Sequence, residues 1–457
     1  MTNFRKCLTE VLTDVAPRGG CKTSTALRKS ATAKTIAATL VVSLIYSVAL
    51  PLSASATTLK VDGDSVSRYG FTFNVAPSRL ISMDKYQRKY QLHKSSTSFE
   101  LQLNRISLPS DSDAYAVDYG YPTFSLGLRY SLNDVTMRRT ADPAWGLAEM
   151  VDYDSRLGNQ VSAYLLFTRP FFRHRHWSVD YYLGTGIGYS HLKYNPTDNV
   201  DNELIGSRFL VYFTAGFHAT YRIAKNWGLR AGVDYYHLSN GALNRPNKGA
   251  NFIGGSVGVQ YYPWYESVTS ASARTSAVAK MKPYLFSRIT LGVGGKVLNE
   301  DWKRTQFQTR PGEPGYRTNR FHFYTAYSLS ADLMYRYARR WASGIGADLF
   351  YGTYASRVEE IDLADGIETK HSPWSFGIAA KHAVYYRRLA LEGAIGVYLY
   401  RHMGANAEII EKPYYERIGL SYTFPTLGGI ALGASVKAHL TKADFTELTL
   451  SVPLKIR

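Results

Sequence analysis

The sequence predicts an all-β protein: a transmembrane antiparallel β-barrel of about 16 strands, with two eight-stranded barrels in tandem as the alternative closure. Three observations carry that prediction. Tyr (36), Phe (20) and Gly (37) are abundant and scattered at strand spacing, as where lipid-facing apolar residues alternate with small or polar lumen residues between aromatic girdles. After residue 56 no apolar run approaches the length of about 18 residues that a membrane helix needs. Long and tight connections also take turns along the chain.

Taken in order, the chain opens with a leader. Basic residues Arg28, Lys29 and Lys34 precede an apolar run from Ile36 to Leu50 and the small triplet Ala54-Ser55-Ala56, so residues 1–56 read as an export signal cut after Ala56. Both cysteines, Cys7 and Cys21, lie in it, and no disulfide is expected in the exported part. Residues 57–263 form a first barrel half, the Ser- and Ala-rich 264–283 a linker, and 284–457 a second half of unknown role. Connections such as 133–159, 240–250 and 299–320 are long, whereas Ala224-Lys225-Asn226 and Ala338-Arg339-Arg340 are tight turns. Long loops outside and short turns inside is the pattern of the bacterial outer membrane. The stretch 108–118 breaks it, being long for an inner turn.

The formal charge of +18 favours contact with anionic surfaces, phosphates included. The basic residues are spread through loops with no nucleic-acid-binding motif, so no nucleic acid partner is expected.

One strand stands out. Along 227–239 the odd positions Trp227, Leu229, Ala231, Val233 and Tyr235 are apolar, and the same face ends in His237 and Ser239. Residues i and i+2 lie roughly 6.5 Å apart on one face, which suits a base and the hydroxyl that it deprotonates. In a barrel that face meets lipid, so a substrate reaching the pair is a lipid. By itself the pair reads equally well as polar girdle. The second half offers a loose copy, Ala434 to Thr441 against Gly232 to Ser239, but there His439 shares its face with Lys437 and points into the lumen. His174-Arg175-His176 falls in a tight turn with no further ligand, and no metal or other cofactor is expected. Gly254-Gly255-Ser256-Val257-Gly258 matches a nucleophile-elbow pattern, yet it lies within a strand with Ser256 facing the lumen, and that motif needs a strand-turn-helix.

The residues around the pair resemble the outer-membrane lipid A 3-O-deacylase family, also described as acyloxyacyl hydrolases. The resemblance rests on His237-Leu238-Ser239-Asn240-Gly241-Ala242 and Pro246-Asn247-Lys248-Gly249-Ala250-Asn251, with Tyr119-Gly120-Tyr121-Pro122 and Gly184 to Tyr189 upstream; it covers roughly residues 65–263. It implies an eight-stranded barrel with a serine esterase site facing the outer leaflet, acting on lipid A of lipopolysaccharide among outer-membrane lipids. Carried over by position, Ser239 resembles the nucleophile, His237 the general base and Asn240 a donor to the oxyanion. Where the family has a Glu, twelve residues past the serine, this chain has Asn251. An amide can orient a histidine but brings no charge, so a slower enzyme is expected, with Asp198, Asp201 and Glu203 of the preceding loop as alternative carboxylates. Arg245 and Lys248 share the hairpin loop and are candidates for lipid phosphate. The rival readings are a passive porin-like barrel, marked by an open polar lumen, and a soluble exported ligand-binding protein.

Overall fold

The computed structural model describes residues 66–455, apart from positions 83, 274–278, 412 and 441. The leader expected at 1–56 lies outside the described residues. The first barrel consists of β1 (Tyr69–Ile81), β2 (Gln91–Ile106), β3 (Thr123–Met137), a two-residue β4 (Ser155–Arg156) hydrogen-bonded to β3, β5 (Gln160–Arg173), β6 (Trp177–Ser190), β7 (Phe209–Ala224), β8 (Trp227–Ser239) and β9 (Ala250–Tyr261). Neighbours pair antiparallel, and β9 returns to β1 with Val257 opposite Val75. The second barrel runs through β10 (Tyr284–Lys296), β11 (Tyr324–Ala338), β12 (Trp341–Gly352), β13 (His371–Tyr386), β14 (Leu389–Met403), β15 (Tyr414–Phe424), β16 (Ile430–His439) and β17 (Lys442–Lys455). There β17 closes on β10, with Leu450 opposite Leu291.

The chain therefore forms two rings of eight, and the single sixteen-strand closure favoured by the sequence is corrected to its tandem alternative. Side-chain volume gives the reason. A ring of eight strands is just wide enough for its own inward side chains to fill, whereas sixteen leave an aqueous bore. Here Tyr164, Tyr212, Tyr236, Phe252 and Arg129 point inward and are buried. Arg129 Nε pairs with Glu100 Oε1 at 2.7 Å, and the Tyr164 hydroxyl donates to the same oxygen at 3.0 Å. In the second barrel Lys381 bridges Asp332 at 2.5 Å and Asp348 at 2.7 Å, while Arg417 holds Glu447. Lumens occupied by buried ion pairs lack the water-filled bore of a porin.

Outward residues show the opposite pattern. Leu103 is 56 % exposed and Val257 61 % in the first ring, and Ile345 68 % in the second. Apolar belts of this kind need hydrocarbon as solvent.

The two connections that break the loop rule pack against each other. Residues 108–118 carry the short helix Ala114–Asp118, and the segment expected to be linker forms the helix Tyr265–Ala273. Trp264, Tyr265 and Val268 bury against Ile106, Leu108, Ala116 and Tyr121, at the short-turn end of the first barrel. That end also joins the second barrel. Asp118 pairs with Arg339 at 2.8 Å, Asp113 with Arg387 at 2.7 Å, and the Tyr386 ring lies 4.7 Å from that of Phe124. At the long-loop end Leu147 N donates to Phe307 O at 2.8 Å and Val297 N to Ala242 O at 2.8 Å. The rings stand side by side, clasped at both ends.

Candidate active site

Strand period sets the site's orientation. Tyr236 and Leu238 are each 1 % exposed inside the barrel, while Tyr235, His237 and Ser239 of the same strand are partly exposed on the outward face at the long-loop end. The β8–β9 register puts Asn251 directly across from His237 and Ile253 across from Tyr235. On the other side β7 offers Val211 opposite Ser239 and Phe213 opposite His237.

That register makes a hydrogen-bonded cluster. His237 Nδ1 donates to Asn251 Oδ1 at 2.7 Å, and the Tyr235 hydroxyl donates to the same oxygen at 2.8 Å. With its proton fixed on Nδ1, the neutral imidazole presents Nε2 as a lone-pair acceptor. Among the described residues Ser239 Oγ has no hydrogen-bond partner, His237 included. Such contacts are often loose without substrate and tighten around it.

Gly249 bounds the imidazole. Its φ of +74° suits glycine, and a Cβ there would stand 2.7 Å from His237 Cε1. Gly249→Ala is therefore expected to tilt the imidazole off Asn251, read as a shift of the His237 ring resonances in the NMR spectrum of the purified protein. Unchanged resonances would mean that the ring does not need this gap.

Beyond the pair, Asn240 is 3 % exposed; its backbone N donates to Asn247 Oδ1 at 2.9 Å, and its Nδ2 is buried without a partner. A buried unpaired donor one residue past a serine can receive a developing oxyanion.

The remaining candidates lie elsewhere. Arg245 turns toward the second barrel, where its Nε donates to Val297 O at 2.9 Å. Burial pulls its guanidinium below the usual arginine value, to about 10, against the opposing carboxylates Glu300 and Asp444. Lys248 pairs with Glu203 at 2.5 Å and approaches Asp84 at 3.7 Å. Asp201 and Glu203 are held by Arg139, Asp201 at 2.8 Å, and Tyr90 donates to Glu203 at 3.1 Å. These two carboxylates serve the cap of loops over the barrel mouth, and the group on His237 is Asn251. Arg139 was not singled out by sequence; its partners come from a loop about 60 residues away, beyond the reach of local pattern. Ser256 lies in the lumen beside His218 at 3.1 Å, and His439 of the second barrel faces the lumen, bonded to the Tyr398 hydroxyl at 2.8 Å. Among the described residues no three His, Cys, Asp or Glu side chains converge as a metal site would require.

Comparison with known proteins adds a family to this geometry. Residues 122–260 match the family model described as lipid A 3-O-deacylase (PagL), and residues 285–455 match that of the acyloxyacyl hydrolase C-terminal domain. Among solved structures, the outer membrane enzyme PagL aligns at 15 % identity over 42 % of this chain and 98 % of its own, with a TM-score of 0.25. CdiB from Acinetobacter baumannii aligns at 10 % over 86 % of this chain and 61 % of its own, with a TM-score of 0.16. A mutant of the Rh. blastica porin aligns at 9 % over 85 % and 100 %, with a TM-score of 0.15. No curated protein matches. The two family models take in most of both barrels, and the chain belongs to the lipid A 3-O-deacylase and acyloxyacyl hydrolase family of outer-membrane β-barrel proteins.

Proposed function

We propose that the first barrel is a metal-independent serine esterase that removes an ester-linked 3-hydroxyacyl chain from lipid A, with the second barrel beside it in the outer membrane. The observation that carries this reading is the outward cluster of Ser239, His237 and Asn251 at the rim of an apolar belt. Phe213, Tyr235 and Ile253 surround it and offer an acyl chain a surface at the depth where its ester lies.

In the reaction Ser239 Oγ attacks the ester carbonyl as its proton passes to His237 Nε2. Asn251 Oδ1 holds Nδ1–H and keeps the ring in the accepting tautomer. Asn240 Nδ2 donates to the oxyanion of the tetrahedral intermediate. Collapse expels the sugar hydroxyl oxygen, which takes the proton back from His237. Water activated by the same imidazole then cleaves the acyl-Ser239 ester and frees the fatty acid.

Lipid A mass spectrometry of cells with and without the protein tests this. Loss of one hydroxyacyl mass only with intact Ser239 and His237 supports the esterase; an unchanged acyl pattern in every strain overturns it.

Asn251→Asp is expected to raise kcat about tenfold, because a carboxylate against Nδ1–H stabilises the imidazolium formed in the transition state by on the order of 1–2 kcal/mol. Equal or slower turnover would mean that orientation alone limits the step.

A further inference from the structure

The loop after Ser239 is gripped from two sides. From the first barrel, Asn244 Nδ2 donates to Gly206 O at 2.9 Å, Lys248 N to Glu203 O at 3.1 Å and Gly249 N to Leu204 O at 2.9 Å. From the second, Thr446 Oγ1 donates to Gly241 O at 2.6 Å, Val297 N donates to Ala242 O at 2.8 Å, and Val297 O accepts from Arg245 at 2.9 Å. The residues so held are the two that turn the chain directly after Asn240. Gly241 has φ +60°, and Ala242 has φ +68°, a left-handed conformation that costs a residue with a Cβ roughly 1–2 kcal/mol. Such a conformation persists only where its surroundings over-determine it. Gly241 also approaches Thr446 so closely that a Cβ would collide with the hydroxyl.

We infer that the second barrel is a positioning element of the esterase site: the ends of β10 and β17 hold the Gly241-Ala242 turn and so fix Asn240, the proposed oxyanion donor next to it, and Thr446 is the positioning residue. This rests on the esterase reading and gives the second barrel a role in it. Thr446 touches no substrate; it acts through Gly241. Its hydroxyl takes no part in the backbone pairing of β17 with β10 and β16, so its loss leaves that ring closed.

The test compares Thr446→Val and Thr446→Ser in the full chain. Thr446→Val is expected to lower kcat about tenfold, with KM within twofold and an unchanged Tm, and Thr446→Ser, which keeps the donor, to restore kcat. Hydrogen exchange over residues 239–249, measured on the same proteins, should speed up in Thr446→Val and return to the parental rate in Thr446→Ser. A kcat equal to the parent, a joint fall of kcat and Tm in both variants, or unchanged exchange each overturns the inference. If the parent releases no fatty acid in a Ser239-dependent way, the esterase reading has failed instead, and the exchange result still decides whether Thr446 holds the turn.

Discussion

On the esterase reading, Ser239→Ala and His237→Ala are each expected to lower ester hydrolysis by at least about three orders of magnitude, with the double variant no slower than either, because a nucleophile and its base act as one unit. The assay is fatty acid release from detergent-solubilised lipid A, with kcat and KM determined separately. KM is expected to stay within a few-fold, since the proposed acyl surface of Phe213, Tyr235 and Ile253 is left intact by both substitutions. Activity retained in Ser239→Ala would move the nucleophile elsewhere. Ser256 is a poor substitute, being 4 % exposed inside the lumen. Both Asp234, at 2.9 Å, and Ser256 crowd the same Nε2 of His218, and Arg230 sits on its Nδ1, so no relay from carboxylate through imidazole to hydroxyl exists there.

Arg139→Met is expected to destabilise the first barrel by about 3–5 kcal/mol, because it takes the guanidinium from a buried pair of carboxylates and strands Asp201. The Arg139 guanidinium is 2 % exposed, paired with Asp201 and Glu203, and lies about 5 Å from the ring centroids of Tyr90, Trp145 and Phe307. Removing the cation leaves Glu203 with Lys248 and the Tyr90 hydroxyl, and takes from Asp201 the guanidinium paired with it. Thermal unfolding in detergent micelles should show Tm lower by roughly 10 °C. Adding Asp201→Asn should recover part of the loss, since the stranded charge is its cause. A loss below about 1 kcal/mol would mean that water reaches the carboxylates through the cap.

The barrel class and the outward face of His237 and Ser239 were legible because strand alternation has a period of two and β8 carries a clean one. The partner of the imidazole came from the family resemblance, which points to the position twelve residues past the serine; the loop after Ser239 is long, and Asn251 falls opposite His237 only because the next strand starts at Ala250. Ring number was not legible, since alternation is the same in one ring of sixteen as in two of eight. What decides it is whether inward residues can fill the bore, and that depends on contacts such as Arg129 with Glu100, 29 residues apart. The setting of Arg245 was hidden for the same cause, its acceptor Val297 lying 52 residues on in the other barrel. The helix Tyr265–Ala273 was read as linker because its Ser- and Ala-rich half hides the buried Trp264, Tyr265 and Val268.

Each ring also has a seam of its own, β1 with β9 and β10 with β17. Once either seam shuts, the eight long strands described in that half have no border left with bare amides and carbonyls on which a foreign polypeptide could add. A long, tyrosine-rich exported chain is thereby protected against clumping in two stages, and the first half need not wait for the second to become safe.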